Sequence, residues 1–154
     1  MHAIEQSPLY RRVRQHAHRR LRSDAYRKPE GWMSDLRQFV RLEKEMLRRH
    51  HEKRDPGLTV CKAYAVMIDV LLESLLENAV KGWLLDHKVL SARFSIMANG
   101  GYGRAELCPY SDIDISLLYG SGTGQKIHDF QKWITRHLLY PLWDLKFKVG
   151  HASR

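Results

Sequence analysis

The chain has 154 residues, 44% of them hydrophobic, and a formal net charge of +9, which fits a single globular domain and excludes an intrinsically disordered protein. No apolar run reaches the roughly 18–20 residues of a membrane span, and the N-terminus lacks the apolar stretch of a secretory signal. We therefore expect no membrane partner. Because the two cysteines supply neither a disulfide framework nor metal-ligand spacing, we also expect a cytoplasmic protein.

The N-terminal third of the chain carries most of the positive charge. Residues 1–33 are predicted to be a basic, poorly ordered leader with at most a short helix, because Pro8 and Pro29 interrupt it. Its histidines, including His16 and His18, are predicted to be solvated. The surplus of arginine suits an acidic partner, but no aromatic residues interleave the arginines, so nucleic acid is not expected as a partner.

Residues 34–90 are predicted to be a helical scaffold. A first helix begins at Ser34, a residue type favoured as an N-cap, and the Asp-Pro-Gly sequence at 55–57 ends it. A second helix runs from Thr59 to about His87 and carries a wide apolar stripe.

After residue 90 the pattern changes, and residues 91–154 are predicted to be a separate core. Three short stretches are predicted to be strands: residues 93–98, 112–119 and 145–151. A helix from about Gln125 to Tyr140, ended by Pro141, lies between the second and third strands. Helices followed by a small mixed sheet predict an α+β fold.

Asp112 and Asp114 lie two residues apart on the second predicted strand. Residues at this spacing in a strand point to the same face, and two carboxylates that are so close repel each other unless a cation lies between them. Magnesium takes such oxygen ligands together with substrate phosphates, as nucleotidyl transfer requires. Taken alone, however, an Asp-x-Asp sequence indicates two acids on a solvated strand face more strongly than it indicates a magnesium site.

Gly100 and Gly101 follow the first predicted strand directly. Glycine lets backbone N–H groups approach a phosphate without a Cβ in the way, and Arg104 would add a cation beside it. A Gly-Gly pair also serves as a simple tight turn. The sequence GGYGRA is neither a Walker A loop nor a dinucleotide fingerprint, because the Gly-Lys-Ser/Thr ending and the βαβ unit are missing.

The order of strand, Gly-Gly, ten residues and Asp-x-Asp resembles the nucleotidyltransferase fold typified by DNA polymerase β. Two longer blocks, GGYGRAELCPYSDIDISLL at 100–118 and LLYPLWDLKFKVGHASR at 138–154, resemble the N-terminal catalytic domain of bacterial protein-PII uridylyltransferases. This resemblance covers residues 92–154, about two fifths of the chain. Because enzymes of that family are much longer, we expect the chain to be a fragment whose core is incomplete at its C-terminus.

The resemblance implies a reaction and a set of site residues. It implies magnesium-dependent transfer of a uridylyl group from UTP to a tyrosine of signal protein PII, in the regulation of nitrogen metabolism. Asp112 and Asp114 would be the catalytic magnesium ligands. The residues implied in nucleotide binding are Gly100, Gly101, Arg104 and Ser111.

The chain departs from the family's pattern in three ways, the mildest being HASR at 151–154 in place of the usual HSVR, and two other functions stay open. Asn99 stands where an apolar residue usually precedes the glycines, and residues 145–154 contain no third carboxylate. One alternative is another protein nucleotidyltransferase of the same fold, such as an adenylylating enzyme. The other is a non-catalytic module that binds nucleotide or an acidic partner through its basic N-terminal segment.

Overall fold

The computed structural model describes residues 7–21, 26, 31–53, 55–120 and 124–153. Within these ranges the chain forms five helices and three strands: α1 (Pro8–Arg20), α2 (Trp32–Glu52), α3 (Gly57–His87), β1 (Phe94–Ala98), α4 (Gly100–Gly103), β2 (Ile113–Tyr119), α5 (Gln125–Asp144) and β3 (Val149–Ser153). Helix α3 packs against α1, α2 and α5 and occupies the centre of the molecule. The α+β class predicted from the sequence is confirmed.

Helix α1 lies in the segment for which the sequence predicted at most a short helix. Leu9, Tyr10, Val13 and Ala17 recur at helical spacing along one face of α1, and all four are buried. Pro8 occupies the start of the helix, where the N–H that proline lacks would have no helical partner. The segment was predicted to be poorly ordered because arginines and histidines dominate its composition, although its few apolar residues recur at helical spacing.

A polar contact also joins α1 to α2. The ring of His16 contacts the carboxylate of Glu43 through Nδ1, and Arg20 Nε donates a hydrogen bond to His16 Nε2 (2.6 Å). The side chain of His16 is only 25% exposed and its carboxylate partner is buried, so the prediction that His16 is solvated is wrong. His18 is exposed, as predicted. This pattern satisfies both ring nitrogens of His16 when Nδ1 carries the proton.

The predicted boundaries of the first two scaffold helices are each about two residues late. Helix α2 begins at Trp32 and not after Ser34, since the N–H of Asp35 already bonds the carbonyl of Gly31 (2.9 Å). Helix α3 begins at Gly57 and not at Thr59. Pro56 precedes it with a fixed φ of −53°, so the Asp-Pro-Gly sequence opens one helix as well as following another.

The sheet is mixed, as predicted, with the strand order β1-β2-β3. Strand β1 pairs antiparallel with β2, and β2 pairs parallel with β3, with α5 as the connection that a parallel pair requires. Ile113, Ile115 and Leu117 are each at most 1% exposed, so this face of β2 forms part of the core.

Two predicted boundaries near the C-terminus are wrong. Pro141 lies inside α5, which continues to Asp144, because Leu142 is fully buried and the extra turn seals the core. The third strand begins at Val149 and not at residue 145, because Lys146 adopts a positive φ of 64° and turns the chain before the strand. None of the helices in the described ranges is both long enough and apolar enough to cross a membrane.

Candidate functional site

The predicted site lies at one edge of the sheet, where β1 ends, α4 turns and β2 begins. The N–H of Asn99 donates to the carbonyl of Asp114 (2.9 Å), so the end of β1 is fixed beside the second aspartate. The side-chain amide of Asn99 donates to the hydroxyl of Ser116 (2.8 Å). A polar residue at this position therefore has a partner on the neighbouring strand, which accounts for the departure from an apolar residue.

The carboxylate of Asp114 lies between two glycines. A Cβ at Gly100 would be 2.9 Å from Asp114 Oδ2, and a Cβ at Gly150 would overlap Asp114 Oδ1. Gly100 also has a φ of +55°, which favours glycine, and Gly150 pairs directly with Asp114 in the parallel register of β2 and β3. The position of this carboxylate thus depends on the absence of a side chain on both sides.

Asp112 and Ser111 lie just before β2. Asp112 is exposed and directly precedes the strand on which it was predicted, whereas Asp114 is half-buried within the strand. The N–H of Ser111 bonds the carbonyl of Cys108 (3.0 Å), which makes the turn that leads to Asp112. The exposed carboxylate of Asp112 is open to a ligand from solvent.

Helix α4 is a single turn that begins at Gly100, and Arg104 closes it. Arg104 Nη1 donates to the carbonyl of Gly100 (2.9 Å), and its Nε donates to the carboxylate of Glu106 (3.2 Å). The carbonyl of Gly101 accepts the N–H of Glu106 (2.8 Å). Arg104 is thus bonded within the turn, and its side chain remains 67% exposed at the rim of the site.

Two hydrogen bonds join helix α3 to this loop. The hydroxyl of Tyr102 donates to Asp69 Oδ1 (2.7 Å), and the hydroxyl of Tyr64 donates to the carbonyl of Pro109 (3.2 Å). Burial raises the pKa of Tyr64 to about 12 and raises the pKa of Tyr102 as well. Both phenols therefore stay protonated and act as hydrogen-bond donors over the physiological pH range.

The burial of Asp69 is expected to make stability fall as pH rises. Burial raises the pKa of Asp69 above its ordinary 3.8, and the Tyr102 hydrogen bond and the charge of Arg14 only partly offset this. Between the unfolded and folded pKa values the folded state binds more protons, so the free energy of unfolding decreases with rising pH in that window. The variant Asp69→Asn, whose amide oxygen still accepts the Tyr102 hydroxyl, should lose this contribution.

Urea denaturation of wild type and Asp69→Asn from about pH 4 to 7 measures the effect. The free energy of unfolding of the variant, relative to wild type, is expected to increase with pH. Parallel pH profiles for the two proteins would contradict the expectation.

Asp112 and Asp114 offer carboxylate oxygens, the kind of ligand that magnesium takes together with phosphate and water oxygens. No group of three or more His, Cys, Asp or Glu side chains that could hold a metal occurs among the described residues. Two carboxylates are nevertheless what magnesium commonly takes from protein when phosphates complete its shell. Sequence reasoning missed Gly150, although a glycine inside a predicted strand is a recognised sign of close approach by another group.

Two open grooves of the molecule are separate from this edge. One, of about 630 Å³, lies between α5 and β3, and the other, of about 700 Å³, lies between α1 and α3. None of the predicted site residues lines either groove. The candidate site is therefore an exposed sheet edge, at which a substrate would itself form much of the enclosure.

The sequence is similar to those of several bacterial enzymes. It is 32% identical to the bifunctional uridylyltransferase/uridylyl-removing enzyme of Erythrobacter litoralis over 111 residues, 71% of this chain and 12% of that protein. It is 38% identical over 94 residues to the enzyme of the same name from Cereibacter sphaeroides, 60% of this chain and 10% of that protein. The counterpart from Phenylobacterium zucineum is 52% identical over 62 residues, 40% of this chain and 6% of that protein.

These matches span about an eighth or less of the length of the relatives. The resemblance to uridylyltransferases that the sequence blocks indicated is confirmed. No family model matches the chain, and no solved structure matches it significantly.

Proposed function

Because the chain is related in sequence to the bifunctional uridylyltransferase/uridylyl-removing enzymes, we propose that it is a nucleotidyltransferase segment that uses magnesium and UTP. The proposed acceptor is a tyrosine of signal protein PII, and the proposed architecture of residues 91–154 is that of DNA polymerase β-like nucleotidyltransferases. The observation that carries the proposal is the carboxylate of Asp114, lodged between Gly100 and Gly150 next to the exposed Asp112.

Each site residue has a distinct part in this proposal. Asp112 and Asp114 supply the oxygen ligands, and the two flanking glycines keep the space beside Asp114 open. The turn at Gly100 and Gly101 receives the triphosphate, while Ser111 and Arg104 lie at its rim. When bound, magnesium would neutralise charge on the phosphates and lower the pKa of the attacking hydroxyl.

The proposed reaction is a displacement at the α-phosphorus of UTP. The tyrosine oxygen of the acceptor forms a bond to that phosphorus, the bond to the pyrophosphate oxygen breaks, and the hydroxyl proton passes to water. Because the chain has only to hold the reacting groups, catalysis would come mainly from positioning and electrostatic stabilisation.

Calorimetric titration of UTP into the full chain, with and without magnesium, tests the proposal. We expect binding that requires magnesium, prefers UTP to ATP, and is lost in an Asp112→Ala/Asp114→Ala double variant. The matched control is Asp86→Asn, which changes an exposed acid at the end of α3, away from the sheet edge, and should bind like wild type.

Two results would contradict the proposal. A preference for ATP would favour an adenylylating enzyme of the same fold. Binding that ignores magnesium, persists in the double variant and weakens with salt would favour the non-catalytic basic module. Circular dichroism of each variant shows whether the chain is folded, so that a loss of binding can be assigned to the site.

A further inference from the structure

The two cysteines of the chain meet beside the loop that leads to Asp112. Cys61 lies near the start of α3, and Cys108 follows 47 residues later, between α4 and β2. Their sulfur atoms are 3.5 Å apart, and both are free thiols. Their spacing along the chain does not predict this pair, because only the packing of the loop on α3 brings them together.

We propose that Cys61 and Cys108 form a reversible intramolecular disulfide, a modification site that fastens the loop to α3. A disulfide bond is about 2.05 Å long, so the sulfur atoms must approach each other by about 1.5 Å. Cys108 is exposed and lies outside helix and strand, so it can make this movement, whereas Cys61 is held in a helix. The proposal does not depend on the transfer activity.

A second contact keeps the loop in place for this reaction. Tyr64 lies one turn along α3 from Cys61, and its hydroxyl donates to the carbonyl of Pro109, the residue after Cys108 (3.2 Å). The two thiols are therefore presented to each other by a hydrogen bond next to them. This raises their effective concentration relative to that of a thiol in another molecule.

The oxidant is a low-molecular-weight disulfide such as oxidised glutathione. The thiolate of Cys108 attacks one of its sulfurs, which forms a mixed disulfide and releases one glutathione thiolate. The thiolate of Cys61 then attacks the sulfur of Cys108, forms the protein disulfide and releases the second glutathione. Two protein thiols are oxidised, one small disulfide is reduced, and the two protons pass to the released thiolates.

The two steps differ in speed. Cys108 reacts first because it is exposed, while burial raises the pKa of Cys61 to about 11. Ring closure requires the thiolate of Cys61 and therefore becomes faster as the pH rises.

The test is incubation of the full chain with oxidised glutathione at several pH values, followed by acid quenching and mass spectrometry. The chain is expected to lose two hydrogen atoms and to yield a peptide that links Cys61 to Cys108, both reversed by dithiothreitol. Because the bond closes a loop of about 48 residues in the unfolded chain, the midpoint of thermal unfolding should rise by about 5–15 °C.

Single serine variants supply the controls. Cys61→Ser should stop at one glutathione on Cys108, and Cys108→Ser, which changes an exposed residue and leaves the core intact, should show no oxidation-dependent rise of the midpoint. The proposal would be overturned if wild type kept its glutathione adduct at pH 9 without losing two hydrogen atoms. It would equally be overturned if only disulfide-linked dimers formed, with a yield that rises with protein concentration.

Discussion

Gly150→Ala is expected to abolish magnesium-dependent binding of UTP while the chain stays folded. The new Cβ would overlap Oδ1 of Asp114, and the backbones cannot separate because Gly150 and Asp114 are paired in the β2–β3 ladder. The carboxylate must therefore rotate out of its position. Since the loss of one well-placed electrostatic group costs such sites about 10²–10³-fold, we expect affinity or turnover to fall by at least about 100-fold.

A comparison of three glycine variants separates this effect from backbone strain. Gly100→Ala should lose binding as well, and its φ of +55° should add a stability cost of about 1–2 kcal/mol. Gly57→Ala is the matched control, because a Cβ there meets nothing within 4 Å. Calorimetry of the three proteins gives the affinity for UTP, and urea denaturation gives the free energy of unfolding. Wild-type affinity in Gly150→Ala would refute the role assigned to Asp114.

The largest loss of stability is expected from Phe130→Ala. Phe130 is fully buried in α5, and its ring meets the rings of Trp83 in α3 (5.1 Å between centroids) and Phe94 in β1 (5.5 Å) at steep angles. Removal of a buried phenylalanine typically costs about 3–5 kcal/mol, a large part of the 5–15 kcal/mol that stabilises a domain. Urea denaturation measures the decrease.

Tyr140→Ala, on the same helix, is the control for this variant. Its side chain is 53% exposed, so the change should cost no more than about 1 kcal/mol. If both variants lost the same stability, the contacts of Phe130 with α3 and β1 would not be important for holding the helices and the sheet together. A change in the denaturant dependence of unfolding in Phe130→Ala would indicate an altered compactness of the folded or unfolded state, or a loss of two-state unfolding.

Apolar periodicity was enough to predict most of the elements. The apolar stripe predicted the helix α3, and the apolar residues of the second strand predicted β2, because each period has only one way to bury its apolar face. Rules about single residues were less successful. Pro141 was expected to end α5, but the burial of Leu142 outweighs the one hydrogen bond that a proline removes.

Sequence motifs were enough to propose residues for the candidate site, but not to predict the contacts that these residues make. Gly100 and Asp114 were singled out from their motif, and the structure brings them together. The second glycine beside the carboxylate, Gly150, comes from a strand that reaches the site only through the parallel pairing of β3. The approach of Cys61 to Cys108 likewise depends on packing between distant parts of the chain, on which local pattern carries no information.

The contacts of α3 with the loop between β1 and β2 bear on how small a working version of this protein can be. Three residues from the first half of the helix touch that loop: Cys61, Tyr64 and Asp69. The strands position the aspartates, but the glycine turn takes its support from a helix that precedes the sheet in the chain. Any unit that preserves the site must therefore include α3 and the helices packed on it, and trimming to residues 92–154 would keep the motifs while removing the support for the turn.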